Sequence, residues 1–350
     1  MQTARQILRQ VPLIDGHNDL PWALRKLSDD HFDAISLARD TTRLTPPLAT
    51  DLTRLKAGGL GGQFWAAFVP GTLCGSAAVL MLLDQIDRVR RLIASYPDVL
   101  ELALTAQDIL RIHRRGKIAS LIGVEGGHAI ANSLSVLRMA HALGARYMTL
   151  THLQNNDWAD SATDKPAHHG LTPFGRQVVR EMNRLGMLVD LSHASDQAVL
   201  ASLETSRAPV IFSHSGARSL CHHPRNVPDA ILRRVAANGG LVMVSFVPQY
   251  LIGPRQPQPQ ALNKQRATLS DVADHIDRIR DVAGVDHAGI GSDFEGFSPP
   301  LVGLEDVSCY PALLAELLRR GYSRGDVKKV AGQNLLRVLR AAQQTASLPV

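Results

Sequence analysis

Residues 185–193 read LGMLVDLSH and residues 208–215 read APVIFSHS. Each is an apolar run of strand length that ends on a histidine, His193 or His214. The pattern recurs along the chain. VPLIDGHND (11–19) delivers His17 and Asp19, IASLIGVEGG (118–127) delivers Glu125, and HAGIGSDFEG (287–296) delivers Asp293. Strands that repeatedly bring polar groups to one place build the active site at the C-terminal ends of the strands of a (β/α)8 barrel. Three imidazoles with several carboxylates suit a two-zinc hydrolase.

The segments between these stretches fit the same plan. Strands are predicted at 11–16, 63–69, 118–124, 147–151, 188–192, 210–213, 241–247 and 287–291, each rich in Ile, Val, Leu, Phe or Met. Apolar residues recur at three and four over 78–95 and 174–185, which predicts helices there. Further helices are predicted at 133–143, 195–205, 228–237 and 269–283. Continuous apolar strands alternating with helices read as a parallel α/β TIM barrel. An open doubly wound sheet would gather its chemistry at one switch point, whereas here nearly every strand end carries a polar group. After the eighth strand, 309–320, 323–331 and 333–342 read as extra C-terminal helices (about 309–342). The whole chain, 1–350, reads as a single catalytic barrel domain.

Composition narrows the function classes. The 350 residues are 45% hydrophobic but only 5% aromatic, so the core leans on Leu, Val, Ile and Ala. The net charge of +6 comes largely from arginines scattered along helical segments, a solvated pattern. No zinc-finger spacing or aromatic–basic interleaving points to nucleic acid. The first residues lack a signal peptide's apolar core, no run is long enough to span a membrane, and no C-terminal lipid-anchor signal is visible. Cys74, Cys221 and Cys309 are few and far apart, which argues against a disulfide scaffold and fits a cytoplasmic location. A Pro/Gln-rich insert, GPRQPQPQALNKQ (253–265), follows the seventh strand and is expected on the active-site rim.

Each candidate ligand has a chemical reason. In extended chain, residues two apart point the same way, so His17 and Asp19 can reach one ion. Asn18 between them would pin the loop. Glu125 is costly to bury unless paired or ligating, and its two oxygens can span two ions about 3.5–4 Å apart. The bland alternative pairs Glu125 with an arginine such as Arg146. Asp190 is placed to orient His193, and Asp15 to orient His17, as carboxylates behind ligating histidines do. His152, closing YMTLTH, faces the same rim and could donate to a substrate oxygen. His128, His168, His169, His222, His223 and His287 read as loop or structural residues.

The chain strongly resembles the membrane (renal) dipeptidase family of metallopeptidases with amidohydrolase-like barrels. The matching segments are DGHNDLPW (15–22), GVEGGHAI (123–130), LTHLQNNDWAD (150–160), HHGLT (168–172), GMLVDLSH (186–193), PVIFSHS (209–215), RNVPD (225–229) and GSDFEGF (291–297), in family order over nearly the whole chain. The resemblance implies two zinc ions, one held by His17 and Asp19, the other by His193 and His214, with Glu125 and a water or hydroxide bridging them. It implies that His152 contacts the substrate near the scissile carbonyl, Arg225 holds the C-terminal carboxylate, Tyr250 lines that end, and Asp293 is the acid/base residue. The expected substrates are dipeptides with free termini, including those with a D-residue at the C-terminal position. Homodimerisation is common in the family, though nothing in this sequence independently shows it. Gln154 and Gly253 stand where secreted, anchored members have cysteines, so the chain resembles a soluble bacterial-type member whose Cys74 and Cys221 are free thiols.

Two rival readings remain on the residues alone. Arg225 and Tyr250 favour a free carboxylate but do not require a peptide bond, so an N-acyl amino acid deacylase or another amidohydrolase fits the same site. A histidine rather than a lysine ends the fourth strand, which weighs against a carbamylated-lysine site of the phosphotriesterase kind. A non-enzymatic scaffold would be expected to have lost ligands, and all five are present.

Overall fold

The computed structural model describes residues 1–28, 30–253 and 266–346. Among them are nine strands: β1 (Leu13–Asn18), β2 (Leu60–Phe68), β3 (Leu100–Leu102), β4 (Ile118–Glu125), β5 (Ala145–Thr149), β6 (Leu188–Asp190), β7 (Ile211–Ser215), β8 (Leu241–Val244) and β9 (Ala288–Ile290). β1 pairs with both β2 and β9, β2 pairs with β4, and the sheet runs on through β5 to β9, so the ring closes. The pairings are parallel throughout. This is the (β/α)8 barrel that the strand-end pattern predicted. β3 was not anticipated; it pairs only with the start of β4.

Alternation along the strands fills the ring. Ile14, Phe64, Leu121, Tyr147, Leu188, Ile211, Leu241 and Met243 form one buried cluster inside it. Their strand neighbours Leu13, Trp65, Ile122, Val124, Met148, Val189, Phe212 and Val244 belong to the larger cluster against the outer helices. Side chains at successive strand positions face opposite sides, so β1, β2 and β4 to β8 each serve both cores, while β3 and β9 contribute only to the outer one.

The helices Gly75–Ser95, Leu134–Ala142, Pro173–Leu185, Asp196–Thr205, Asp229–Ala237 and Leu269–Ala283 lie where expected. Three others have local signals that the pattern reading passed over. Gln2–Gln10 buries Ala4, Ile7 and Leu8, Leu20–Leu27 has Pro21 at its first turn, and Ala106–Arg114 opens on a Thr105/Asp108 capping box. At the C-terminus the predicted helices appear as Tyr310–Arg319, Arg324–Lys328 and Asn334–Thr345, the last two joined by a π-helical turn, Lys329–Gln333. No helix among the described residues is long and apolar enough to cross a membrane. Of the Pro/Gln insert, all but Gly253 lies outside the described residues.

Candidate metal centre and cleft

The strand ends converge on Glu125. Its Oε1 lies 3.1 Å from His193 Nε2, 3.6 Å from His214 Nε2 and 3.7 Å from His152 Nε2. Its other oxygen, Oε2, lies 3.5 Å from His17 Nε2. The carboxylate therefore turns one oxygen toward three imidazoles and the other toward His17. Arg146, the alternative partner, is elsewhere: its guanidinium donates to the carbonyls of Leu104, His141 and Ala145.

On the Oε2 side, His17 Nε2 is 3.6 Å from Asp19 Oδ1 and 4.0 Å from Asp293 Oδ1. Asp19 does not arrive by strand alternation. β1 ends at Asn18, and Asp19 is the N-cap of helix Leu20–Leu27. Asn18 does pin this turn, accepting from Leu20 N–H at 2.8 Å and donating to Thr50 Oγ1 at 3.2 Å. Asp293 is brought alongside by backbone: Asp293 N–H donates to His17 O, and Asp19 N–H to Phe294 O. A Cβ on Gly296 would stand 2.4 Å from Asp293 Oδ1 and 2.6 Å from Asp19 Oδ2, so any side chain there would have to push these two carboxylates aside. His193 and Asp293 hold φ of 72° and 67°. Left-handed non-glycine backbone is a strained state that persists only where surrounding contacts enforce it.

Burial and mutual charge set the protonation of the cluster. Burial pushes His193 and His214 well below the usual histidine range; Arg225 reinforces both, helped by His152 at His193 and by His17 at His214. Burial alone would raise Glu125, but His17, His152 and His193 carry it well below the usual carboxyl range. Burial opposes charge on His17, yet Tyr147, Glu125 and Asp19 together raise it well above normal. Burial lifts Asp293 well above the carboxylate range, and Asp19 and Glu125 lift it further against His17 and Arg225.

The donor set fits metal ions. His17/Glu125/His214, Glu125/His152/His193 and His17/Asp19/Asp293 each place three ligand atoms within 4.8 Å of one another. His17 Nε2 and Asp19 Oδ1 are buried without a hydrogen-bond partner among the described residues. Ligands about 2.0–2.2 Å from a tetrahedral ion lie roughly 3.4 Å apart, close to the separations seen here. An ion requires neutral imidazoles and ionised carboxylates; His193, His214 and Glu125 are shifted toward that form, His17 and Asp293 away from it.

A cleft of about 470 Å³ opens above, lined by Asp19, Trp22, His152, Tyr250, Asp293 and Phe297 among others. A larger cavity of about 880 Å³ adjoins it past Glu295–Ser298 but contains none of the converging histidines. Arg225 is buried beneath Tyr250, its guanidinium 5.1 Å from that ring, and donates to Ser215 Oγ and His214 O. Its Nε has no hydrogen-bond partner among the described residues.

Two expectations about supporting residues need correction. Asp15 was placed to orient the His17 ring, but it accepts from Ser292 N–H, Ser292 Oγ and Tyr310 Oη, and reaches only the backbone N–H of His17. Asp190 accepts from the backbone N–H groups of Ser192 and Ser213 rather than from His193. Both carboxylates hold strand ends together. The residue on His17 Nδ1 is Tyr147, 2.8 Å away, which the sequence reading missed. Its signal was a buried tyrosine in a strand, whose hydroxyl must find a partner. His128, His168 and His287 are structural, each with a ring nitrogen on a backbone carbonyl. Cys74, Cys221 and Cys309 are free thiols.

A parallel barrel whose strand ends gather imidazoles and carboxylates around one buried carboxylate, Glu125, defines the class: a metal-dependent hydrolase. Comparison with known proteins narrows it. The chain belongs to the membrane dipeptidase family, peptidase family M19, whose model matches residues 1–348. It is 44% identical over 352 residues to dipeptidase tcpJ of Claviceps purpurea, covering 96% of this chain and 79% of that protein. It is 46% identical over 349 residues to dipeptidase 3 of Rattus norvegicus, covering 98% of this chain and 67% of that protein. The crystal structure of the probable dipeptidase PvdM from Pseudomonas aeruginosa matches with a TM-score of 0.83 at 25% identity, over 99% of this chain and 98% of that one.

Proposed function

We propose that the chain, acting as one catalytic unit, is a two-zinc dipeptidase that cleaves dipeptides with free termini and accepts a D-residue at the C-terminal position. The observation that carries the two-ion reading is the divided Glu125 carboxylate, with His17 at one oxygen and His193 and His214 at the other. His17 and Asp19 would hold one ion, His193 and His214 the other, and Glu125 would bridge. Bound ions would supply Lewis acidity and lower the pKa of an attacking water.

The protein's own groups supply the rest. Asp293, close to His17 and Asp19, is placed to take a proton from that water and deliver it to the departing amine. His152, on the opposite side of Glu125, is placed to donate to the developing oxyanion. It also stands at ligand distance from the cluster, and its partial exposure to the cleft favours the substrate role. Arg225 would hold the terminal carboxylate, because its two terminal nitrogens each keep a hydrogen beyond those given to Ser215 and His214. Tyr250, stacked on it, would close that end of the cleft. A cation fixed one residue from the scissile bond measures substrate length, and a tripeptide would put its carboxylate out of reach.

The test is initial rates on L-Ala-L-Ala, L-Ala-D-Ala, N-acetyl-L-Ala and tri-L-alanine, before chelation, after it, and after zinc restoration. Zinc-dependent turnover of both dipeptides with little on the tripeptide is expected. Turnover of the N-acetylated substrate alone would instead assign a deacylase.

A further inference from the structure

We propose that Tyr147 is the positioning residue for His17: its hydroxyl fixes the tautomer and ring orientation that leave His17 Nε2 free to ligate, and Gly123 exists to seat it. The inference rests on the two-ion reading above and adds to it how one half of the site is held.

The geometry begins on β5. Tyr147 is fully buried and pairs in register with Gly123 of β4. Its ring does not stay above its own strand. It lies against Phe64 of β2, ring centroids 4.8 Å apart, and its hydroxyl reaches β1, 2.8 Å from His17 Nδ1 and 3.1 Å from Gly16 O. A Cβ on Gly123 would meet the Tyr147 ring at 2.0–2.4 Å, so any side chain there would expel the ring from this path. The glycine is a requirement of the tyrosine.

Hydrogen bookkeeping then decides the tautomer. A tyrosine hydroxyl has one hydrogen to give and can also accept. The Gly16 carbonyl can only accept, so the hydroxyl hydrogen goes to it. The phenol oxygen is left to accept from His17, which places the imidazole hydrogen on Nδ1. In the neutral ring that a metal ligand requires, Nε2 then keeps its lone pair, and that atom is the one facing Asp19, Glu125 and Asp293 at 3.5–4.0 Å with no hydrogen-bond partner among the described residues. Ligating histidines are commonly held this way by a group on the other nitrogen, most often a carboxylate or carbonyl, and loss of that group typically costs 10–100-fold in metal affinity. Here a phenol takes the role. In the His193/His214 half the support is local: His214 Nδ1 meets the hydroxyl of its own neighbour Ser213 at 2.8 Å, and His193 Nδ1 has no hydrogen-bond partner among the described residues.

The experiment compares the wild-type chain with Tyr147→Phe and Gly123→Ala, each titrated with zinc against a competing chelator. In both variants about 10–100-fold weaker binding of one zinc is expected, with the second unchanged. In Tyr147→Phe kcat should fall at saturating substrate while KM for L-Ala-L-Ala holds, because Arg225 and Tyr250 are untouched. Two zinc ions bound to Tyr147→Phe with wild-type affinity would overturn the inference and leave the two-ion reading intact. A wild-type chain that binds fewer than two ions would fail that reading itself. A measurement needing no variant guards against misfolding. NMR on isotope-labelled histidine in the cadmium-loaded wild-type chain should show coupling from the metal to His17 Nε2 and a hydrogen on Nδ1; coupling to Nδ1 would overturn the proposal.

Discussion

The two halves of the site are built from different materials. Around His17 the neighbours are carboxylates, Asp19, Asp293 and one oxygen of Glu125, and the imidazole is raised well above its usual pKa by Tyr147, Glu125 and Asp19 against its burial. Around His193 and His214 the neighbours are other imidazoles, the two Nε2 atoms 2.9 Å apart with His152 alongside, and burial with Arg225 drives both rings well below theirs. One half is an anionic cup needing positive charge. The other is a neutral nitrogen pair that can bind a cation without first losing a proton. Glu125 faces both, and the His17 and His214 rings, centroids 4.0 Å apart, also meet across the divide. The halves should therefore differ in how they fail.

The largest effect is expected at the shared residue. Glu125→Ala should abolish activity and reduce bound metal from both halves, read as zinc per chain after dialysis. A variant that keeps two ions would separate the halves and remove Glu125 from the bridge. Next comes the anionic half. Asp293→Asn should lower kcat by about 10²–10⁴-fold, the usual scale of general acid–base catalysis, while zinc content stays at two. Loss of zinc instead would make Asp293 a ligand. Outside both halves, Arg225→Lys replaces a planar fork with a point charge. It should raise KM for L-Ala-L-Ala about ten- to a hundredfold, the scale of one or two charged hydrogen bonds, with a smaller change in kcat.

A smaller effect isolates the neutral half through pH. His193 and His214 are held below their unfolded pKa of about 6.5, so the unfolded chain binds more protons than the folded one beneath that pH. Their contribution to stability is present above about pH 6.5 and is lost as pH falls toward their folded values. Glu125, also depressed, adds to the acid loss, whereas His17, raised, contributes in the opposite direction and loses its share as pH rises through its folded value. The metal-free chain should show a melting temperature that drops between about pH 7 and pH 5, and His214→Gln should flatten that slope. An unchanged slope would mean that the imidazole pair is not held neutral.

The same contrast explains what could be read before the fold was known. His17, Glu125, His193, His214 and Asp293 were legible because each follows an apolar run, and in a parallel barrel the strand end is the site. What sits behind the ligands was not. Asp15 and Asp190 have the right spacing to support His17 and His193, but a buried carboxylate satisfies whichever donors lie nearest, and those are backbone N–H groups and the hydroxyls of Ser292 and Tyr310. Tyr147 reaches His17 across the barrel from a strand far away in sequence, a pairing that local periodicity does not encode. Asp19 does lie beside His17, but from a helix N-cap rather than by strand alternation. β3 escaped because three residues, Leu100–Leu102, are too few to show a period.

The proposed site turns on two ions, one on either side of Glu125. The most direct test is a crystal structure of the zinc-loaded chain with anomalous data collected at the zinc edge. Two peaks about 3.5–4 Å apart are predicted, one beside His17 and Asp19 and one beside His193 and His214, each touching a different Glu125 oxygen. A single peak, or two peaks that Glu125 does not join, would contradict it.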